Sequence, residues 1–240
     1  MNRILFVLFS LTFLILSCTS KNYGPEGERI IDLENISSLH IEGNFTVLIQ
    51  QSTDEQLILN APEELIDKIE VTQNNGQLKI MLDEQTKNFL EENTIQLDIS
   101  LTDLSFLEYS IAGKLTILPY FQVDDIRIQG QGAGKVELNL EAESIIAEFS
   151  MVGEATLNGS SENFTLRNDG LGKIDASELF AKNTVLSSSG IGSIQVYAEE
   201  TLSLNVSGIG KVVYSGPAEV IKRNVSGIGK VEYQESTARH

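Results

Sequence analysis

The sequence predicts an all-β fold, a single-stranded parallel β-helix (β-solenoid) with about 19–20 residues per coil. The first observation is a glycine-centred motif that recurs seven times, its second glycines being 21, 19, 19, 20, 18 and 19 residues apart. The second is the alternation of apolar and polar residues around each motif, which is the period of a β-strand. A fixed interval of this length indicates units that bury their apolar faces by stacking on one another. The second glycines, predicted as structural corners, are Gly113, Gly134, Gly153, Gly172, Gly192, Gly210 and Gly229.

The glycines predict a turn or bulge in each coil. Five copies have Gly-x-Gly in full, while Ile111 and Met151 replace the first glycine in the other two. Glycine accepts positive φ and allows close backbone approach, which a stacked corner needs in every layer. Since the residue between the glycines is apolar in all seven copies, we expect it to face the core. These residues are Ala112, Ala133, Val152, Leu171, Ile191, Ile209 and Ile228.

Strands are predicted on both sides of the corner. Apolar or aromatic residues stand two and four positions after the second glycine in every copy, ending with Tyr214 and Tyr233, and we expect them to face inward. Leu202, Leu204 and Val206 show the same alternation before a corner. A helical repeat is excluded, because these glycine-rich and β-branched units have neither caps nor a 3.6-residue period.

Residues 29–105 are predicted to be a degenerate continuation of the coils or a cap on one end, before the repeats of 106–233. Leu39–Val47 matches Leu204–Val212 by spacing, with Phe45 in place of the second glycine. Residues 61–68 predict a short helical turn with Pro62 at its first position. Residues 69–71 and 78–80 predict a hairpin around Asn74–Gly76.

The N-terminus predicts export and a lipid anchor. Arg3 precedes a largely apolar run that is too short for a stable membrane span, so residues 1–17 are predicted to be a signal peptide. Cys18, the single cysteine, follows a lipobox-like Ile-Leu-Ser and is predicted to be lipidated. Residues 18–28 would form a tether and 234–240 a flexible tail. We expect a cell-envelope location, on the outer membrane facing the periplasm or at the cell surface.

The charge balance excludes one class of partner. The chain has 34 acidic and 17 basic residues, a formal net charge of −17. Bulk electrostatics therefore oppose binding to nucleic acid, and no basic arm or zinc-finger spacing counters this. Membrane contact would come through the lipid anchor instead.

The repeated Gly-Ile-Gly coils, the lipoprotein-like start and the segment Gly43–Val47 together resemble the bacterial "putative auto-transporter adhesin, head GIN domain" family. The likeness extends over about residues 29–233. It implies a β-helical, exported, adhesin-like protein, and it supplies no enzymatic residues to transfer. Where the family motif often has Asn after the second glycine, this chain has Lys, Ser or Glu.

The sequence offers few residues for enzymatic chemistry, so we predict a protein without catalytic residues, metal or cofactor. Only His40 and His240 could serve a nucleophilic triad, and a zinc site lacks ligands. Paired carboxylates leave one alternative, a glycosidase or lyase acting on a solenoid face. The candidate pairs are Asp124 with Asp125, Asp169 with Asp175, and Glu141 with Glu143.

A lysine stripe is the candidate binding surface. The position after the second glycine is lysine in five of seven copies and should face solvent, one coil apart. Such a stripe could bind an anionic glycan, but local pairing with Glu137, Asp175 and Glu232 is the favoured interpretation. Its members are Lys114, Lys135, Lys173, Lys211 and Lys230.

Taken together, these features predict a non-enzymatic envelope lipoprotein, an adhesin-like or scaffold binding module that presents a β-solenoid surface. Its partner would be an envelope glycan or protein, and its oligomeric state is left open. The alternative remains a carbohydrate-active enzyme.

Overall fold

The computed structural model describes residues 24–83 and 95–235, which are almost entirely β-strand. The predicted signal peptide, Cys18 and His240 lie outside these ranges. No helix within them is long and apolar enough to cross a membrane. The elements are β1 (Glu26–Asp32), β2 (Ser38–Gln51), β3 (Gln56–Pro62), α1 (Glu63–Ile66), β4 (Ile69–Asn74), β5 (Gln77–Leu82), β6 (Gln96–Leu101), β7 (Phe106–Asn168), β8 (Leu171–Ser188), β9 (Ile191–Tyr197), β10 (Thr201–Val206), β11 (Ile209–Ser215), β12 (Glu219–Val225) and β13 (Ile228–Tyr233).

The strands form one large mixed sheet that is not closed. Its main path runs β1-β3-β6-β2-β7-β8-β9-β11-β13, while β10 joins β8 to β12 and β5 joins β2 to β4. The repeats pair in parallel, whereas the N-terminal pairs β1/β3, β3/β6 and β4/β5 are antiparallel. The prediction of an all-β fold is confirmed.

Equivalent positions of successive repeats lie side by side. Gly153, Gly172, Gly192, Gly210 and Gly229 are paired in sequence along β7, β8, β9, β11 and β13. Their neighbours keep the same register, so each side chain stands beside its counterpart in the next layer. The period read from the sequence is therefore the period of the parallel ladder.

The side chains at the positions predicted to face inward form the core. Leu115, Ile174 and Val212 after the corner, and Leu204 and Val206 before it, are all buried. Stacked aliphatic side chains of this kind supply most of the stabilisation of such a sheet.

The last layer departs from the inward pattern. Tyr214 is half-buried, but Tyr233 is 57% exposed, so the inward prediction for Tyr233 is wrong. Its strand, β13, pairs only with β11 among the described residues. No further layer of that region covers the tyrosine, although its ring still contacts that of Tyr214 at 5.5 Å between centroids.

The residues between the two glycines are exposed in all seven copies, so their predicted core position is wrong. In six of the seven copies the reason is the positive φ of the glycine that follows, Gly229 after Ile228 being the exception. Gly172, for example, has φ of +137°, which resets the strand alternation, and both Leu171 before it and Lys173 after it are exposed.

The N-terminal section follows its predicted register. Phe45 pairs with Gly113, and the rest of β2 runs in parallel with β7. The hairpin of β4 and β5 forms around Asn75 and Gly76, both with positive φ, as an Asn-Gly turn requires. The helical turn forms as α1, although Pro62 lies at its N-cap rather than inside it. β1 begins at Glu26, within the segment predicted as a tether.

Candidate binding face

The face next to the glycine corner is shaped by a glycine column, formed by the second glycines of the repeats. A Cβ placed on Gly172 would lie 1.9 Å from the carbonyl oxygen of Gly153, and one on Gly192 would lie 1.8 Å from that of Gly172. Side chains cannot occupy this space, so the backbones pack directly on one another. The column therefore fixes the height and direction of every residue beside it.

An aliphatic ridge runs along the outside of the corner. It consists of the residues between the glycines in five successive layers, and register places each beside the next. Their exposed fractions range from 47% to 80%, which is high for large aliphatic side chains. The ridge residues are Val152, Leu171, Ile191, Ile209 and Ile228.

The lysine stripe lies on the other side of the glycine column, and all five of its lysines are exposed. Four of the lysines form ion pairs with acidic side chains, and Lys114 has no ion-pair partner among the described residues. The predicted pairs with Asp175 and Glu232 are present, but Lys135 contacts Glu154 of the adjacent strand instead of Glu137. The pairs are Lys135–Glu154 at 3.8 Å, Lys173–Asp175 at 2.9 Å, Lys211–Glu232 at 2.9 Å, and Lys230–Glu232.

A polar groove of about 440 Å³ precedes the corner. Register stacks Arg167, Ser187 and Asn205 in one row, and Asn168 beside Ser188 in the next. The groove thus offers hydroxyl, amide and guanidinium groups at the strand spacing of about 4.8 Å. Its lining residues are Glu148, Phe149, Ser150, Arg167, Asn168, Asp169, Ser187, Ser188, Ser189, Asn205 and Ser207.

Glu148 organises the charged end of this groove. Its carboxylate accepts hydrogen bonds from Gln129 at 3.0 Å, from Arg127 at 2.8 Å and from Arg167. The bonds from Gln129 and Arg167, with that from Arg127, hold the pKa of Glu148 below its usual range. Arg167 is thereby positioned at the groove, sharing the carboxylate of Glu148 with Arg127.

We expect Glu148→Gln to lower the free energy of unfolding by about 1 kcal/mol at neutral pH, since the pairs are solvent-accessible. A carboxylate with a lowered folded pKa stabilises the fold above the ordinary glutamate pKa and loses that contribution as pH falls through the folded value. Urea unfolding of both proteins should therefore differ most near pH 7 and converge under acid conditions. A difference that persists at low pH would contradict the role given to the charge.

The carboxylate pairs singled out in the sequence have separate surroundings. Asp169 accepts a hydrogen bond from Ser150 at the groove, whereas Asp175 lies beyond the corner with Lys173 and Ser177. Partial burial opposes ionisation of Asp175, but hydrogen bonds from Ser177 and Lys173 outweigh it and keep its pKa lowered. A general acid needs a raised pKa, so Asp175 is poorly suited to protonate a leaving group.

The remaining candidates also have ordinary structural partners. Glu141 accepts a hydrogen bond from Gln122 at 2.8 Å, while Asp124, Asp125 and Glu143 are exposed or nearly so. His40 lies in β2, as predicted, with its Nδ1 2.8 Å from Glu108 of the adjacent strand. Within residues 24–83 and 95–235, no cluster of three potential metal ligands occurs.

Sequence reasoning missed both the ridge and the groove. The apolar character of the ridge residues predicts burial, but the positive φ of the glycine after most of them resets the strand alternation and leaves them exposed. The groove had a signal in the polar residues that recur just before the first glycine, as in Arg167–Asp169, Ser187–Ser189 and Asn205 with Ser207. Their shared register became visible only when the strands were paired.

Comparison with known proteins gives a family match and several structural matches. The model of the family described as "Putative auto-transporter adhesin, head GIN domain" matches residues 35–218. A crystal structure of a "putative adhesin" from Bacteroides fragilis has a TM-score of 0.79 at 22% identity, covering 88% of this chain and 97% of that one. No curated protein matches this chain in sequence.

Two further structures share the fold at lower similarity. A "putative lipid binding protein" from Parabacteroides distasonis has a TM-score of 0.62 at 21% identity. A "putative adhesin" from Parabacteroides merdae has a TM-score of 0.60 at 18% identity. Each match covers 88% of this chain and 97% of the other. At these identities the likeness establishes the fold.

Proposed function

We propose, from the premise that this chain belongs to the "Putative auto-transporter adhesin, head GIN domain" family, that it is a non-enzymatic, adhesin-like binding module that holds a neutral glycan in the polar groove. The observation that carries the proposal is the row of Arg167, Ser187 and Asn205, three hydrogen-bonding side chains stacked in register along one groove.

The chemistry of the groove suits a sugar chain. Sugar hydroxyls both donate and accept hydrogen bonds, and the groove provides donors at Arg167 and Asn205 with mixed donors and acceptors at its serines. The groups repeat at about 4.8 Å along the sheet, close to the rise of one ring in an extended polysaccharide. A chain lying along the groove could therefore meet equivalent groups with successive rings.

The charges favour a neutral glycan over an acidic one. Arg167 and Arg127 share the single carboxylate of Glu148, and Asp169, next to Ser150, supplies a second negative charge, so these four groups carry no net charge together. The formal charge of the whole chain is −17, which would repel a polyanion at long range. This selectivity would separate the groove from the lysine stripe, for which an anionic glycan was the candidate ligand and local ion pairing the favoured interpretation.

The proposal includes the presentation of this face. The parallel ladders support a β-solenoid whose layers carry the groove, with the aliphatic ridge exposed at the corner that follows it. Lipidation of Cys18 would hold the module on the outer membrane, with the family's adhesin description in keeping with an envelope location. The tether before β1 would keep the groove away from the lipid surface.

The test is a neutral-glycan panel followed by calorimetry with the best ligand. Asn205→Ala with Ser187→Ala should weaken binding about tenfold, since each hydrogen bond contributes about 0.5–1.5 kcal/mol. Asn224→Ala is a matched control, because Asn224 is the partner of Asn205 in the next layer but does not line the groove. Equal losses in both proteins would reject the groove as the site.

The same experiment distinguishes the other hypotheses. Replacement of Lys135, Lys173, Lys211 and Lys230 by Gln should leave neutral-glycan binding unchanged, and loss of binding would transfer the site to the lysine stripe. Reducing ends are measured in parallel with binding. Turnover that disappears on Asp169→Asn would identify a carbohydrate-active enzyme and overturn the non-enzymatic proposal.

A further inference from the structure

The strand at the end of the parallel ladder, β13, has one unpaired edge within residues 24–83 and 95–235. Its apolar side chains are correspondingly open: Ile228 is 80% exposed and Val231 is only half-buried, whereas the equivalent Val212 one layer below is buried. An open edge with apolar side chains is a template for another strand. We propose that β13 pairs antiparallel with β13 of a second copy of this chain, about a two-fold axis at Val231.

The backbone fixes which residues can pair across this edge. The amide of Gln234 donates to the carbonyl of Tyr214 in β11 at 2.9 Å. Because the amide and carbonyl groups of successive strand residues point to opposite sides, the even-numbered residues of β13 bond to β11. Gly229, Val231 and Tyr233 therefore direct their amides and carbonyls away from β11. One of these groups already has a partner, because the carbonyl of Val231 accepts a hydrogen bond from the guanidinium of Arg223 at 3.0 Å.

Centring the pair on Val231 uses all of these groups, with the carbonyl of Val231 accepting the cross-strand amide through its second lone pair beside Arg223. Val231 then lies opposite Val231 of the second copy, and Gly229 lies opposite Tyr233, each as a hydrogen-bonded antiparallel pair. The ring of Tyr233 would cover the facing glycine, an arrangement that stabilises glycine at a sheet edge. A centre on Gly229 or Tyr233 would leave most of the strand without a partner.

The charges select the same register. With Val231 at the centre, Lys230 lies opposite Glu232 of the second copy, and the same pair recurs on the other side of the axis. Within each chain Glu232 already pairs with Lys211 and Lys230, so the cross-strand contacts would extend that ion-pair network across the axis. These are non-hydrogen-bonded positions, where cross-strand side chains approach most closely. A centre on Lys230 or Glu232 would place like charges together and would require amides that already bond to β11.

Self-complementarity is the reason for choosing a second copy as the occupant. A two-fold pair closes on itself, so it covers the edge without extending into a fibre. The opposite end of the sheet cannot form the same contact, because β1 there pairs antiparallel with β3 and carries a different sequence. The inference goes beyond glycan binding and does not depend on it.

The test is sedimentation equilibrium of the full-length chain in density-matched detergent. The wild type should show a concentration-dependent monomer–dimer equilibrium. Lys230→Glu should raise the dimer dissociation constant at least about tenfold, because both cross-strand pairs become like-charged. Adding Glu232→Lys to that variant should restore the dimer, and Lys135→Glu, in the lysine stripe away from the edge, should leave it unchanged.

A backbone variant gives an independent measurement. Val231→Pro removes an amide that faces the open edge, so it should abolish the dimer while the monomer keeps its circular dichroism spectrum. Should this variant fail to fold, the charge-reversal pair still decides the matter. A wild type that stays monomeric at all concentrations, or a double reversal that stays monomeric, would overturn the proposal.

Discussion

Replacing Gly172 by alanine is expected to destabilise the protein by about 3–5 kcal/mol, from strain at positive φ together with overpacking. A Cβ there would lie 1.9 Å from the carbonyl oxygen of Gly153, well inside van der Waals contact. The backbone φ of +137° adds a conformation that alanine rarely adopts. The layers on both sides are held by the same ladder, so neither can move away without breaking hydrogen bonds.

Gly229→Ala is the matched control for this experiment. Gly229 holds the same motif position in the last layer, but its φ is not among the positive values, and a Cβ would lie 3.0 Å from the nearest atom. We expect a loss below about 1 kcal/mol, as for ordinary surface changes. Urea unfolding of both variants provides the measurement, and equal losses would show that the column does not depend on stacking.

The motif predicted the ladder because glycine spacing and strand alternation are set by the backbone. A Gly-x-Gly corner has to repeat in every layer, so its period could be read without knowing the strand partners. The same spacing assigned Phe45 to the position of a second glycine, and in the structure Phe45 pairs with Gly113. The hairpin at Asn75 and Gly76 was equally predictable, because its turn residues determine its geometry.

Side-chain direction at the corner was not predictable from apolar character. Ile191 and Ile209 look like core residues in the sequence, yet the glycine that follows each has φ near +140°, which turns them outward. Hydrophobic patterns report burial only while the strand alternation continues. The exposure of the aliphatic ridge is therefore set by backbone geometry and cannot be read from composition.

The groove was hidden for a different reason. Arg167, Ser187 and Asn205 are unremarkable as separate residues, since polar residues are usual on an exposed strand face. Their relation comes from strand register, which also brings Glu148 between Arg127 and Arg167. The lysine stripe is the opposite case. Its lysines recur at one motif position and are conspicuous in the sequence, but four of the five charges are locally paired.

Phe45→Ala is expected to cost about 3–5 kcal/mol, the range for removing a buried aromatic ring. Phe45 is 1% exposed and lies where the glycine column reaches β2. On the far side of β2, β5 pairs with residues 38–42 and β6 with residues 46–51. Phe45 lies in the part of β2 between these two registers, and a Cβ on Gly43 would meet its ring and Leu82. Gly43, two residues earlier, takes the positive φ, and Phe45 does not.

This location makes a sharper variant informative. Phe45→Gly restores the repeat motif, yet it should be at least as destabilising as Phe45→Ala. The core would lose the buried ring beside Gly43 and Leu82, and the chain would gain backbone entropy in the unfolded state. Tyr120→Ala, at an aromatic residue that is 47% exposed, should cost below about 1 kcal/mol. A Phe45→Gly protein as stable as the wild type would mean that β2 belongs to an ordinary coil, whereas the expected loss identifies Phe45 as the residue that ends the glycine column.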